Sequence, residues 1–421
     1  MLKQAINFRL PVVCIAAASV GLSMAIISTA KLLLIICALA VLLNPRNSLK
    51  NAALLAGKST PLAVLVVLCA FAFSLWWTSA PMADSLGSMA KYGKLIVIVL
   101  LPLLIRDRRE ALYALAAFAL GQLFLLVSSW MLFVGIPVPW ATSRMALTAN
   151  AVFSSYLDQG IIAAVFAAIC WHLRVLALTR LTQYAIVFIA IAAFANVFAV
   201  LIGRSGHVVA VALLSIAVMW ELPKKYRAIA VLIPFILASG LYFGSANVRE
   251  RMTLVEREVQ SYSSGLQTST SSGVRLGFWQ TSLEAISERP VGGSGVGSWS
   301  TEYNRLQRSR NPAHQDVPGN GNPHQEYLLW GVQLGIPGIA LLVFLMLSIA
   351  RDSMRMEKPY ARATQSVLLA LSIACLFNAS IYDAHIGDFF CVVLGLLLAS
   401  SLSSHTAPVI STAKGHHGQA S

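Results

Sequence analysis

"GNPHQEYLLWGVQLGIPGIALLVFLMLSIA", residues 321–350, begins as a polar turn and becomes largely apolar within four residues of His324. The apolar part, residues 327–350, is long enough to cross a bilayer, which takes about 20 residues. Eleven similar segments occur along the chain, at 8–28, 29–45, 61–79, 87–105, 111–135, 156–174, 182–203, 206–221, 225–244, 363–381 and 385–403. With 57% hydrophobic and only 11% charged residues, the sequence predicts an all-α polytopic membrane protein with about twelve transmembrane helices. The first two spans are expected to be joined by a tight turn near residues 29–31.

The positive charge of the chain is distributed unequally between alternate loops. With the N-terminus inside, the cytoplasmic segments hold 18 of the 31 Lys and Arg residues and 5 of the 17 acidic residues. This excess is the positive-inside pattern of a membrane protein. The net charge of +14 therefore indicates orientation and gives no reason to expect a nucleic-acid partner.

This orientation divides the chain into four parts. Residues 1–244 are predicted to form transmembrane helices one to nine, and residues 327–403 helices ten to twelve. The segment 245–326 between them is predicted to be a large periplasmic loop subdomain with amphipathic helices, the first of them near residues 247–262. Residues 404–421 are predicted to form a cytoplasmic tail. A loop of about 80 residues between spans is usually functional.

Two arginines on the predicted outer side invite a functional interpretation. Arg204 interrupts an apolar stretch near the membrane surface, where charge is costly unless paired. It is either an interfacial anchor or an anion ligand. Arg275 lies four residues before Trp279 on a predicted helical face that continues through Leu283 and Ile286. Its stem either packs while its head reaches water, or its head points inward at a bound anion.

Several other groups are expected at the same level. Asp158 and Asp383 are predicted to pair with arginine or to support the site, although Asp383 has His385 and Asp388 nearby in a group that could be mistaken for a metal site. The glycine-rich stretch 290–299 follows no strand and lacks the lysine of a P-loop, which favours a structural turn over phosphate binding. No D-x-D pair is present, so no metal or other cofactor is predicted. A histidine with two arginines suits a reaction in which a phosphate leaves and a hydroxyl attacks.

The motif at the start of the tenth span resembles the signature of the O-antigen ligase and polymerase superfamily. It consists of His324, the amide Gln325, nine residues, Gly335 and, after two more, Gly338. The turns at Arg204 and Arg275 resemble that family's two functional arginines, and "RPVGGSGVGSW" (289–299) resembles its proline-glycine segment. The resemblance covers roughly residues 185–400. Gly331 and Gly335 are expected to let span ten pack closely, and Pro337 to bend it.

The resemblance implies a GT-C-like glycosyltransferase of the bacterial inner membrane with its active site facing the periplasm. The implied donor is O-antigen on undecaprenyl pyrophosphate, and the implied acceptor is the lipid A–core oligosaccharide. His324 would be the general base, Arg204 and Arg275 would bind the pyrophosphate, and transfer would be metal-independent and inverting. A polysaccharide polymerase and a protein O-oligosaccharyltransferase of the same superfamily are alternatives. A lipid-linked sugar transporter is disfavoured because the centres of the spans are nearly free of charge. Surrounding membrane lipids are the other expected contacts, and the sequence does not indicate an oligomeric state.

Overall fold

A computed structural model describes residues 8–43, 57–227, 232–244, 271–316 and 321–402, together with Arg249 and Thr253. Within these residues the chain is helical and contains no β-strand. In chain order the α-helices are α1 Arg9–Ser19, α2 Met24–Leu42, α3 Ser59–Phe73, α4 Met82–Tyr92, α5 Val97–Leu104, α6 Arg108–Phe133, α7 Ala146–Ala149, α8 Tyr156–Leu173, α9 Arg180–Ala195, α10 Arg204–Glu221, α11 Ile233–Gly244, α12 Ser271–Glu288, α13 Trp299–Arg310, α14 Glu326–Leu334, α15 Ile336–Ser353, α16 Lys358–Phe377 and α17 Ala384–Leu402. A π-helical turn, Asn196–Val200, extends α9, and 3-10 turns lie at Ser74–Trp76, Gly93–Ile96, Arg174–Leu176 and Lys224–Tyr226.

Nine helical segments of the described chain are long and apolar enough to cross a membrane. They are Met24–Leu42, Ser59–Trp76, Met82–Leu104, Arg108–Phe133, Tyr156–Leu176, Arg180–Val200, Arg204–Glu221, Ile336–Ser353 and Lys358–Phe377. α1 and the Ala384–Ser400 part of α17 are apolar but shorter than 18 residues. The chain is thus an all-helical membrane protein, as predicted, while the count of twelve spans stays a prediction. The predicted amphipathic helix at 247–262 and the tail at 404–421 lie largely or wholly outside the described residues.

The predicted boundary between the first two spans is wrong. The chain turns between α1 and α2, at residues 20–23, and not at residues 29–31. The turn is fixed because Gln122 Nε2 donates to the Val20 carbonyl at 2.5 Å. Lys31 therefore lies inside α2, where its Nζ pairs with Asp388 at 2.7 Å. Lys31 is the eighth residue of α2 and Asp388 the fifth residue of α17, so the pair lies in the first half of each helix.

The predicted tenth span is also wrong as a single helix, because it breaks into α14 and α15 at Gly335. Gly335 has φ 73° and ψ −162°, a region that is essentially restricted to glycine. Pro337 does not bend a continuous helix. It lies in the first turn of α15, where its missing N–H has no intrahelical partner to lose.

Polar contacts collect at two opposite ends of the helices. At one end Arg9 pairs with Glu110, and the Asp352 carboxylate accepts from the Thr60 N–H at 2.7 Å. At the other end Ser79 Oγ donates to Glu302 at 2.8 Å, which ties the turn after α3 to α13. Residues predicted to be cytoplasmic thus share the first end, and the predicted outer residues share the second. The second end is called the site end below.

Candidate functional site

The His324 turn is held in an unusual backbone conformation. His324 has φ 53°, a left-handed value that costs a non-glycine residue free energy. Its N–H donates to Asn322 Oδ1 at 2.8 Å, which stabilises the turn. Gln325 then caps α14, because its Oε1 accepts from the Leu328 N–H at 2.6 Å. The amide of the motif is therefore an N-cap that fixes where the helix begins.

Glu326 fastens this turn to the loop between α16 and α17. Its side chain is fully buried, and Oε2 accepts from the backbone N–H groups of Ile381 at 2.8 Å and Tyr382 at 3.1 Å. Oε1 accepts from Trp330 Nε1 at 2.7 Å. Burial raises the pKa of Glu326 to about 7, against the opposing effect of these three donors. The loop 378–383 is therefore held beside His324 by one carboxylate.

The imidazole of His324 contacts a residue of that loop. Nδ1 lies 3.4 Å from Asn378 Oδ1, and an amide oxygen can only accept. This contact favours the tautomer with the proton on Nδ1 and the lone pair on Nε2. On the α12 side, the ring is nearly parallel to the Phe278 ring, with centroids 6.2 Å apart. The ring is thus oriented by an amide at the end of α16 and by an aromatic side chain within α12.

Asp383 belongs to the same cluster. Asn322 Nδ2 donates to its Oδ1 at 3.0 Å, so one asparagine contacts both the His324 backbone and the Asp383 carboxylate. Lys94 Nζ donates to the Asp383 carbonyl at 2.7 Å. Burial raises the pKa of Asp383, and the charges of His324 and Lys94 partly offset that effect. The carboxylate is close enough to His324 for their charges to interact.

Asp158 and Arg204 lie at the site ends of two helices in direct backbone contact. A Cβ on Gly203 would come within 3.0 Å of the Tyr156 carbonyl, and one on Gly206 within 3.0 Å of Gly160 Cα. The glycines on either side of Arg204 therefore press the start of α10 against the start of α8, which carries Asp158. Asp158 Oδ1 is buried with no hydrogen-bond partner among the described residues, and its carboxylate interacts electrostatically with Asp383.

Arg275 lies on α12, three residues and thus about one turn before Phe278. Its side chain is half-buried. The predicted face through Trp279, Leu283 and Ile286 is partly wrong, because Leu283 is 59% exposed while Ile286 is buried. Of the predicted site residues, His324, Asp383 and Asp158 are linked by described interactions. Arg204 lies on the helix that packs against the one carrying Asp158, and Arg275 lies one turn before Phe278 on α12.

The two motif glycines make the break between α14 and α15 possible. A Cβ on Gly335 would lie 2.4 Å from the Pro290 carbonyl oxygen, and one on Gly338 would lie 2.3 Å from the Trp330 carbonyl oxygen. The glycine-rich loop closes over the same place, since the Gly295 N–H donates to the Gln333 carbonyl at 2.8 Å. This use of its N–H groups agrees with the interpretation as a structural turn. Gly335 and Gly338 therefore support the position of α14 and, through it, His324.

His385 and Asp388, which could be mistaken for metal ligands, contact other groups of the protein. His385 Nε2 contacts the Leu22 carbonyl at 2.6 Å, and Asp388 pairs with Lys31. Among the described residues no group of three or more His, Cys, Asp or Glu side chains could hold a metal ion. The His314 ring contacts Tyr303, which in turn contacts Phe278, and His314 Nε2 lies 3.4 Å from Asn304 Oδ1.

Sequence reasoning missed four residues that build the site: Asn322, Asn378, Glu326 and Phe278. Asn378 lies 54 positions after His324, and no local pattern links the two. Asn322 and Glu326 flank the motif histidine, but nothing in a single sequence distinguishes them from ordinary turn residues.

Comparison with known proteins identifies one family. A family model described as O-antigen ligase matches residues 143–343, just under half of the chain. The matched region contains Arg204, Arg275 and His324 together with Gly335 and Gly338. No curated protein matches the chain. The resemblance predicted from the motif is therefore confirmed over this region.

Proposed function

We propose that this O-antigen ligase-type membrane protein transfers O-antigen polysaccharide from undecaprenyl pyrophosphate to the lipid A–core oligosaccharide. The observation that carries the proposal is the His324 cluster, whose histidine, with Asn322 and Phe278, lies within the region matched by the O-antigen ligase family. There an oriented imidazole adjoins a carboxylate at the end of the bundle that also holds Arg204. Loop charges support a periplasmic position for this end and an inner-membrane location.

His324 would act as the general base. With its Nδ1 proton directed at Asn378, its Nε2 lone pair is available to a hydroxyl. The acceptor oxygen forms a bond to the anomeric carbon as the carbon–oxygen bond to the pyrophosphate breaks. The pyrophosphate leaves on its lipid with the bonding electrons, and His324 takes the hydroxyl proton. Direct attack inverts the anomeric centre, and a positioned base contributes about 10²–10⁴-fold to such a rate.

Asp383 would stabilise the charge that His324 gains in this step. Its carboxylate already interacts with His324, and Asn322 connects the two groups through hydrogen bonds of 2.8 and 3.0 Å. Asp158, whose carboxylate also interacts electrostatically with Asp383, would pair with a donor-binding arginine.

Arg204 and Arg275 would bind the pyrophosphate and stabilise its departing charge. Guanidinium groups are permanently charged and form paired hydrogen bonds with phosphate oxygens. Two of them would meet the needs of a lipid-linked leaving group without a metal ion. Electrostatic stabilisation of this kind is usually the largest single contribution in such sites.

The test compares two histidines of one loop. His324→Ala should lose most transfer activity while keeping donor binding, because the histidine contacts the acceptor. His314→Ala is the matched control, since it removes a half-buried loop imidazole outside the motif, and it should stay near wild type. A fully active His324→Ala protein would rule out the base. Equal losses in both variants would indicate general disruption of the loop.

The arginines are tested by donor binding in the same preparations. Arg275→Ala should weaken both donor binding and turnover, and Arg275→Lys should restore them only in part, because lysine keeps the charge but loses the planar fork. Unchanged donor binding in Arg275→Ala would contradict this role.

A polymerase of the same superfamily is the nearest alternative, and the phenotype of a strain lacking the gene distinguishes the two. Loss of O-chain with accumulation of lipid-linked polymer supports the ligase. Retention of single-repeat caps on the core supports the polymerase.

A further inference from the structure

A recess lies at the site end, outside the His324 cluster. It has a volume of about 530 Å³ and is formed where α6 ends and the following loop reaches α7. Its walls include Leu132, Pro137 and Leu147, and Arg144 is its charged lining residue. A volume in this range suits a small ligand or a lipid headgroup.

The guanidinium of Arg144 has no charged or hydrogen-bonding partner among the residues that the structure describes. The Arg144 side chain is exposed. Ser143 and Thr148 also line the recess, and its other lining residues are apolar. A guanidinium in a recess lined by apolar and hydroxyl-bearing side chains is suited to a phosphate carried on an apolar body.

Hydrogen bonds hold the loop that forms this recess. The Thr142 and Ser143 N–H groups donate to the Val152 carbonyl at 2.9 and 3.0 Å. Trp140 Nε1 donates to Ser128 Oγ at 3.0 Å, and its indole ring is 40% exposed. An exposed tryptophan with its N–H bonded is typical of the level at which a membrane meets water.

The surroundings of the recess favour a lipid over a soluble ligand. Leu147 is 91% exposed and Val134 63% exposed, so apolar surface continues from the recess onto the end of the membrane helix α6. An acyl chain would cover this surface, whereas a free phosphate or a sugar phosphate would leave it in water. We propose that the Arg144 recess binds the phosphate headgroup of a membrane lipid, with an acyl chain lying against Leu132 and Leu147.

Native mass spectrometry of the full chain in detergent tests this proposal. The probes are dioleoyl phosphatidic acid and dioleoyl phosphatidylcholine at equal concentration. One exposed ion pair contributes up to about 1 kcal/mol, which predicts that phosphatidic acid is retained up to about fivefold better. Arg144→Ala should lose this preference, and Arg144→Lys should keep part of it.

Arg180→Ala is the matched control. Arg180 is exposed at the start of α9, at the opposite end of the bundle, and its removal should leave the preference unchanged. Leu147→Ser should lower the retention of both lipids.

Four results would overturn the proposal. The preference could survive in Arg144→Ala, or fall equally in Arg180→Ala. Inorganic phosphate at millimolar concentration could displace phosphatidic acid, which would make the free anion the ligand. A dimer that Arg144→Ala dissociates would make the recess an interface between copies. Because the measurement is lipid retention, none of these results depends on transfer activity.

Discussion

Replacement of Gly335 by alanine should damage this protein far more than the loss of one hydrogen atom suggests. The backbone there has φ 73° and ψ −162°, and holding a non-glycine residue in that region costs about 1–3 kcal/mol. The new Cβ would also lie 2.4 Å from the Pro290 carbonyl oxygen. That oxygen cannot simply move away, because it accepts from the Ile336 N–H at 2.7 Å.

This backbone strain alone should shift the equilibrium about 5- to 140-fold away from the native backbone at residue 335 and towards one in which that backbone is displaced. Because α14 carries His324 at its other end, we expect both a lower midpoint of thermal unfolding and a lower rate of transfer. The steric overlap adds to the strain, so the upper part of this range is expected.

Gly87→Ala provides the matched control. Gly87 lies inside α4, and a Cβ there would meet no atom within 4 Å, so alanine should be neutral or stabilising by about 0.5–1 kcal/mol. The assay is thermal unfolding of the two purified variants beside the wild type, followed by transfer activity of the same samples. Equal midpoints and equal activities for Gly335→Ala and Gly87→Ala would refute the reasoning.

Three further predictions concern the charges and the orientation of the chain. Burial would raise the pKa of Glu302, but hydrogen bonds from Arg305 and Ser79 lower this pKa overall. The ionised carboxylate therefore stabilises the folded protein fully above the unfolded-state pKa of about 4.5, and this stabilisation is lost as the pH falls through the lower pKa of the folded state. Glu302→Gln should therefore lower the unfolding midpoint more at pH 7 than at pH 4, and an equal difference at both would contradict a role for this ion pair. Reporter fusions after Ala313 and after Lys358 should report opposite compartments, the first of them periplasmic, and a cytoplasmic signal at Ala313 would refute the orientation. Transfer by purified protein should persist with excess chelator, whereas activity lost to chelation and restored by Mg²⁺ would replace the metal-free mechanism.

Hydropathy and charge predicted the class of fold because each span must satisfy its own backbone in a membrane. They failed at helix ends, where tertiary contacts decide. The sequence predicted a turn at Lys31, but an ion pair with Asp388, 357 positions away, holds this lysine inside α2. The break at Gly335 was hidden for the same reason, since an apolar run does not reveal that Pro290 of a distant loop occupies the space beside it.

The candidate site shows the same limit. The motif predicted a functional role for His324. The positions of Asp158 and Asp383 near the membrane surface predicted that they pair with arginine or support the site, because charge there is costly unless it is paired or functional. Asn378 and Phe278 could not be predicted, since Asn378 reaches the histidine from the end of α16 and Phe278 from within α12. The burial of Leu283 was predicted wrongly because helical spacing identifies residues that share a face of α12 without indicating which of them pack against another element.

The break between α14 and α15 also explains why the motif has a fixed length. The nine residues between Gln325 and Gly335 form about two and a half helical turns, bounded by a cap at one end and an obligatory glycine at the other. One inserted residue would rotate the two ends by about 100° relative to each other. With Gly335 still anchored at Pro290, Glu326 would then turn away from the 378–383 loop and His324 from Asn378. The spacing of the motif is thus an angular constraint, set by the pitch of a single short helix.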